Sequence, residues 1–134
     1  MSVIVNDAGF APAEPVAAVT LADIAAHRGV VDLANTDDPK ALQDHLPALS
    51  LIRLAFPAFN DGRAFTIARR LREMGYRGTL RALGPVIADQ YAMLRRTGFD
   101  EAEIPDDLAD RQPAAQWQFR ADWPLHHYQA RLRA

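Results

Sequence analysis

The chain has 134 residues, of which 49% are hydrophobic, and its formal net charge is −2. This length suits one domain with its own core, and the acidic balance argues against nucleic acid as a partner. Because the chain has no cysteine, disulfides, thiolate nucleophiles and cysteine-based metal sites are excluded within it. With no leader and no long apolar run, we expect a cytoplasmic protein that neither crosses a membrane nor holds a metal.

The first third of the chain alternates short apolar runs with helix-start signals. Residues 1–19 are rich in alanine, proline and valine and predict a short strand, Val3–Val5, followed by extended chain. Thr20 precedes a stretch that resembles a helix start, and Pro39 follows Asp37 and Asp38, which are both suitable caps. The predicted elements after the N-terminal segment are a helix ending near Gly29, a strand at Val30–Ala34 and a helix running to about Leu46.

The middle of the chain repeats a strand-then-helix unit. Phe65, Ala68, Leu71 and Met74 recur at helical spacing and predict the inward stripe of a helix that Gly75 closes. The predicted elements here are a strand at 51–56, a helix at 62–74, a strand at 79–83, a helix from Gly84 to Thr97, a strand at 99–104 and a last helical region from Pro105 that Pro113 interrupts.

This alternation predicts an α/β fold with a small, mostly parallel four-stranded sheet built from consecutive β-α units. The sheet is expected to be either doubly wound or partial-barrel-like, and an open edge favours a homodimer. We expect a single domain over residues 1–134, with an extended N-terminal segment (1–19), a β-α core (30–105) and an aromatic C-terminal region (106–134). The aromatic region is expected either to cover the core or to form a dimer contact. That region carries Trp117, Phe119, Trp123 and Tyr128.

Positive charge is concentrated in the middle of the chain. Residues 1–60 carry a net charge of −4, residues 61–98 carry +5 through eight arginines, and residues 99–134 carry −3. This pattern is typical of a solvated arginine-rich helix face, and it is also typical of a surface that binds an anion or an acidic partner.

The corner between the strand at 51–56 and the following helix is the main candidate site. A helix N-terminus presents unpaired N–H groups, and ligands of open α/β sheets bind beyond the carboxyl ends of the strands. Gly62 would allow close backbone approach, Arg63 would grip an oxyanion, and Thr66 would donate its hydroxyl. The alternative is that Asp61 only caps the helix.

Three further residues complete the predicted ligand-binding set. Arg81 interrupts an apolar strand, and a buried arginine needs a carboxylate or a ligand, for which Asp61 and Asp89 are the candidates. The alternative for Arg81 is a structural ion pair. Gln90 lies on the apolar side of its helix, so that its amide needs buried partners. The adjacent pair His126 and His127 lacks metal-ligand spacing.

A set of short motifs lies between about residues 30 and 130. These motifs are Phe56-Pro57, Phe59, Asp61 to Thr66, Ala68-Arg69, Leu71-Arg72, Gly75-Tyr76, Gly78, Leu80 to Ala82, Gly84, Asp89-Gln90, Arg96, Gly98 to Asp100 and Tyr128-Gln129. Together they resemble an uncharacterised bacterial family described as oxidoreductases with a role in sulfite reduction. The chain departs from that family's pattern at Thr66, where serine is usual, and at Thr79, where an acidic residue is common.

The resemblance implies a setting beside assimilatory sulfite reduction and supplies no catalytic residue or cofactor. The leading hypothesis is an accessory protein of sulfur assimilation that binds a small anionic metabolite, or sulfite reductase itself, through an arginine-lined edge. One alternative is an oxidoreductase that holds a flavin or a nicotinamide, since in a chain without cysteine a bound cofactor must carry out the redox chemistry. The other is a non-catalytic protein–protein interaction module.

Overall fold

One mixed sheet of seven strands organises the molecule. The computed structural model describes residues 2–58 and 62–119. Within these ranges no helix is long and apolar enough to cross a membrane. The strands are β1 (Ser2–Asn6), β2 (Gly9–Pro12), β3 (Val19–Thr20), β4 (Val30–Leu33), β5 (Leu51–Ala55), β6 (Thr79–Leu83) and β7 (Glu101–Pro105).

The strand order is β2-β1-β7-β6-β5-β4-β3. Strands β3 to β7 lie side by side in chain order and are parallel, whereas β1 is antiparallel to both β7 and β2. The α/β class is therefore confirmed, but the sheet has seven strands rather than the predicted four. The doubly wound alternative is wrong because it requires the strand order to reverse, whereas consecutive order is that of a barrel arc.

Two strands, β2 and β3, come from the N-terminal segment that was predicted to be extended chain after residue 5. Gly9 has a φ of 120° and closes the turn that pairs Asn6 with Gly9. Pro12 ends β2 at the sheet edge, where a missing N–H costs no ladder hydrogen bond. β3 is only two residues long, too short to show any periodicity.

Four α-helices follow the strands of the second half: α1 (Gly62–Glu73), α2 (Tyr91–Thr97), α3 (Asp106–Arg111) and α4 (Ala114–Phe119). The helices predicted before residue 50 are instead short 3₁₀ segments at Leu21–Ala26, Pro39–Leu42 and Leu46–Ala48. Asp38 does cap the second of these, accepting from the N–H of Lys40 at 3.0 Å. Pro47 lacks an N–H, which helps to keep these segments short.

The two faces of the sheet differ in character. One face packs against the helices and is apolar, with Val31, Leu33, Ile52, Leu54, Leu80, Ala82, Ala102 and Ile104 all buried. Three of the four residues of the predicted stripe, Phe65, Ala68 and Leu71, are buried in this core. The fourth, Met74, follows the end of α1 and is partly buried against the core. The opposite face, here called the polar face, carries the charged residues that alternate with the apolar ones: Asp32, Arg53, Arg81, Glu101 and Glu103.

A short strap, residues 13–18, connects β2 at one edge of the sheet to β3 at the other. Seven residue steps span at most about 25 Å, whereas six strand spacings in a flat sheet measure about 29 Å. The sheet must therefore curl. Because Ala13 to Val16 line a cavity together with Arg53 and Glu103, the strap lies over the polar face.

Candidate functional site

Five charged side chains form a continuous ion-pair network on the polar face. Arg53 donates two hydrogen bonds to the carboxylate of Asp32, at 2.6 and 2.7 Å. Its Nη1 also reaches Glu103 across β6 at 3.4 Å. Arg81 donates to Glu103 at 3.0 Å and to Glu101 at 3.5 Å. The network thus links four neighbouring parallel strands, β4 to β7.

Three carboxylates face two guanidinium groups in this network, so its residual charge is negative. The side chains of Arg81 and Glu103 are only 10% and 11% exposed, and the hydroxyl of Ser2 donates to the second oxygen of Glu103 at 2.8 Å. The hydrogen bonds from Arg53 to Asp32 raise the pKa of Arg53 further above its ordinary value, against the opposing effect of burial. The polar face is therefore a poor site for an added anion.

The structure gives Arg81 partners that were not expected. Of the carboxylates among the described residues, Glu101 and Glu103 pair with it, and Asp89 does not. Asp61, the other predicted partner, lies outside the described residues. Structural ion pairing, the alternative for Arg81, is therefore what these residues show. Its Nε is buried without a hydrogen-bond acceptor in the part of the chain described.

The remaining predicted residues lie around the start of α1 and of α2. Gly62 is the first residue of α1, and a Cβ there would meet no atom within 4 Å. Arg63 is exposed, and the hydroxyl of Thr66 donates back to the carbonyl of Gly62 at 3.3 Å. Asp89 is exposed in the 3₁₀ turn that precedes α2.

Gln90, next in the chain, has a buried Oε1 that accepts no hydrogen bond from the described residues. No hydrogen bond or ion pair connects Arg81 with Arg63, Asp89 or Gln90. The grip of Arg63 and Arg81 on one ligand therefore stays a prediction.

Arg72, on α1, has a role that the sequence did not reveal. Its Nη1 donates to the carbonyls of Tyr76 and Gly78, both at 2.9 Å. Its Nε and Nη2 donate to the carbonyl of Gly98 at 3.0 and 2.8 Å, and Nη2 also donates to Asp100 at 2.8 Å. All five donors of the guanidinium are thus used. The side chain ties the loop after α1 to the loop after α2.

Arg95, on α2, plays a similar part beside it. Its Nη1 donates to the carbonyl of Phe99 at 2.6 Å, and its guanidinium pairs with Asp7 in the β1–β2 turn and with Asp100. The hydroxyl of Tyr91 also donates to Asp7. Burial, followed by this hydrogen bond, raises the pKa of Tyr91 above its ordinary value. These contacts tie α2 to the first hairpin.

Seven of the eight arginines of residues 61–98 fall into two groups, and the eighth, Arg77, lies in the loop after α1. Arg72, Arg81 and Arg95 are paired inside the fold. The exposed side of α1 carries Arg63, Arg69 and the partly exposed Arg70, and the exposed side of α2 carries Arg96. Met93, 51% exposed, lies one turn before Arg96. We call these four arginines and Met93 the basic helix surface.

Within the described residues, no group of three or more histidine, aspartate or glutamate side chains is arranged to hold a metal ion. His126 and His127 lie outside those residues, as do Trp123 and Tyr128 of the predicted aromatic region. Trp117 is buried, and its indole N–H donates to the carbonyl of Gln112 at 2.9 Å. Trp117 is therefore part of the core, and the role of the rest of that region stays a prediction.

Neither the curated proteins nor the solved structures contain a match to this chain. The family model described as "Bacterial protein of unknown function (DUF934)" matches residues 30–134, which is most of the chain. The chain therefore belongs to this bacterial family.

Proposed function

We propose that this chain is a non-catalytic accessory protein of sulfite reduction that binds an acidic surface of a partner protein through the basic helix surface. The resemblance described above suggests sulfite reductase as that partner. The observation that carries the proposal is the division of the arginines: Arg72, Arg81 and Arg95 pair with carboxylates of the fold, whereas four others lie on the exposed sides of α1 and α2.

Charge and composition both favour a protein partner for this layer. On α1, the exposed Arg63, Arg69 and Arg70 share their side of the helix with a single acid, Glu73. Arg70 lies 3.9 Å from the exposed carboxylate of Asp38, a contact that contributes little. Arginine and methionine are enriched at protein interfaces, and a positive patch on an acidic chain steers an acidic partner towards one face.

A small anion held between Arg63 and Arg81 has less support. The guanidinium of Arg81 is already bound by two carboxylates, and the face around it holds more carboxylates than arginines. An anion placed there would displace an ion pair or meet net negative charge. Arg69 and Arg96 are exposed on α1 and α2, away from the carboxylates of the polar face.

Direct binding to purified sulfite reductase tests the proposal. We expect the wild type to bind and the affinity to fall as salt is raised, since the attraction is between surface charges. Replacing Arg69 and Arg96 together by glutamate should weaken binding by about 100-fold or more, through lost attraction and new repulsion. The control is Arg111→Glu, because Arg111 is also exposed but lies on α3.

Two results would contradict the proposal. The first is equal loss of affinity in the Arg69/Arg96 variant and in the Arg111 control, which would remove any role for the basic helix surface. The second is a stoichiometric flavin or pyridine nucleotide in the absorbance spectrum of the purified protein. That would replace the accessory role with the oxidoreductase alternative.

A further inference from the structure

A second basic site lies away from the basic helix surface, at the amino-terminal ends of the parallel strands. A cleft of about 840 Å³ opens between the loop after α1, the start of β6 and the loop after α2. Its size is within the range of small-molecule sites in proteins, roughly 300 to 1,000 Å³. The cleft is far larger than a bare inorganic anion requires.

The cleft is lined by three arginines, Arg72, Arg77 and Arg95, and by one carboxylate, Asp100. The lining therefore carries a net charge of +2. Arg72 and Arg95 donate their hydrogen bonds to loop carbonyls and pair with Asp7 and Asp100. They still contribute positive potential, while their positions are fixed by the fold.

The donors that remain for a ligand lie on three consecutive residues. Arg77 is exposed, and its guanidinium makes no hydrogen bond or ion pair with any other residue that the structure describes. The backbone N–H groups of Arg77 and Gly78 and the hydroxyl of Thr79 also donate to none of the described residues. A flexible cation beside two amides and a hydroxyl is the donor set that proteins use for phosphate oxygens.

The close packing of this loop restricts the backbone that carries the two amides. A Cβ on Gly78 would lie 2.3 Å from the hydroxyl of Tyr76 and 2.9 Å from the carbonyl of Leu49. Only glycine therefore fits between Arg77 and Thr79. Arg72 holds the same loop by donating hydrogen bonds to the carbonyls on either side of Arg77.

We propose that this cleft binds the phosphate group of a phosphorylated small molecule, a phosphate monoester of about nucleotide size. Arg77, the amides of Arg77 and Gly78, and Thr79 contact the phosphate oxygens. The rest of the volume takes the organic part. The proposal is independent of partner binding, because the arginines of the basic helix surface that were chosen for that test do not line this cleft.

An NMR titration of the amide signals tests it, with adenosine monophosphate and inorganic phosphate as probes at constant ionic strength. We expect shifts at Arg77, Gly78 and Thr79, with the ester binding more tightly than inorganic phosphate. Arg77→Ala should weaken binding of the ester by about tenfold, the value of one charge-assisted contact. The control is Arg69→Ala, an exposed arginine of α1 outside the cleft, which should bind as the wild type does.

Three outcomes would overturn the inference. No shift at these amides at millimolar ester would show that the cleft is not a phosphate site. Equal weakening in the Arg77 and Arg69 variants would show that binding depends only on the net positive charge of the protein. Equal affinity for the ester and for inorganic phosphate would show that the cleft does not recognise the organic part of the ester. None of these results would bear on binding to sulfite reductase.

Discussion

Arg72 shows how a single side chain can define a loop in this protein. Its guanidinium satisfies the carbonyls of Tyr76, Gly78 and Gly98, which follow the ends of two helices, and it also pairs with Asp100. Carbonyls at helix ends lack intrahelical partners, and cations near helix C-termini are favoured. The same side chain lies over the ring of Tyr76, 5.6 Å from its centroid.

Replacing Arg72 by methionine should therefore destabilise the fold. Methionine keeps part of the aliphatic stem but leaves three carbonyls without their donor, and Asp100 loses one of its partners. We expect the free energy of unfolding in urea to fall by about 3 kcal/mol. Arg69→Met, on the exposed side of the same helix, should change it by less than about 0.5 kcal/mol. Equal effects would show that the five contacts of Arg72 contribute no specific stability.

Ionisation of Tyr76 is expected to lower the folding stability of the chain at alkaline pH. Burial is the main reason that the pKa of Tyr76 rises from 10.0 to about 12. Because the folded state favours the neutral phenol, this contribution is complete below pH 10 and is lost as the pH rises towards 12. Tyr91 contributes in the same direction, since burial also raises its pKa.

Urea unfolding at pH 9 and at pH 11.5 checks this effect. Between these values the wild type should lose more stability than Tyr76→Phe does, by on the order of 1 to 2 kcal/mol. The variant lacks the hydroxyl that donates to the carbonyl of Thr79 at 3.3 Å. Its stability at pH 9 is therefore measured as its own baseline. Parallel pH profiles for the two proteins would contradict the assignment.

The strands of the sheet are joined on the polar face by charges rather than by apolar packing. Glu103 is at the centre of this arrangement, since one of its oxygens accepts from Arg53 and Arg81 and the other accepts from Ser2. Removing one member of a buried ion-pair network leaves the opposite charge without compensation, which costs more than an intact pair contributes. The network therefore fixes how β5, β6 and β7 sit together.

We expect Glu103→Gln to lower the free energy of unfolding by about 3 kcal/mol. The amide has nearly the shape of the carboxylate, but it removes the charge and turns an N–H₂ group towards a donor. The matched control is Asp107→Asn, because Asp107 pairs with Arg111 on the exposed side of α3 at 3.6 Å. That change should cost less than about 0.5 kcal/mol. A similar small cost at Glu103 would show that the network is energetically neutral.

For the molecule as a whole, the sequence predicted elements best where the periodicity was long. The strand Thr79–Leu83 and the helix that begins at Gly62 agree with the structure almost residue for residue. The strand β3 has only two residues and therefore shows no strand periodicity, and β2 lies in an alanine- and proline-rich segment that does not have a typical strand pattern. The sequence therefore predicted the α/β class but not the seven-stranded order.

The partners of Arg81 were missed although a signal was present. Glu101 and Glu103 alternate with the buried Ala102 and Ile104, and this period of two places both carboxylates on one face of β7. Finding Arg81 opposite them requires the pairing of β6 with β7, which no local pattern supplies. In the same way, Arg72 differs from Arg69 only in its contacts with the loops that follow α1 and α2, and these contacts depend on the tertiary fold.

The most direct test of the proposed role is to map the interface by hydrogen–deuterium exchange in the complex with sulfite reductase. If the basic helix surface binds the partner, exchange should slow in peptides covering α1 and residues 91–97. Exchange in the strap and in β7 should stay unchanged. Protection confined to the strap and β7, with α1 and α2 unaffected, would contradict the central claim that the exposed arginines of these two helices form the binding surface.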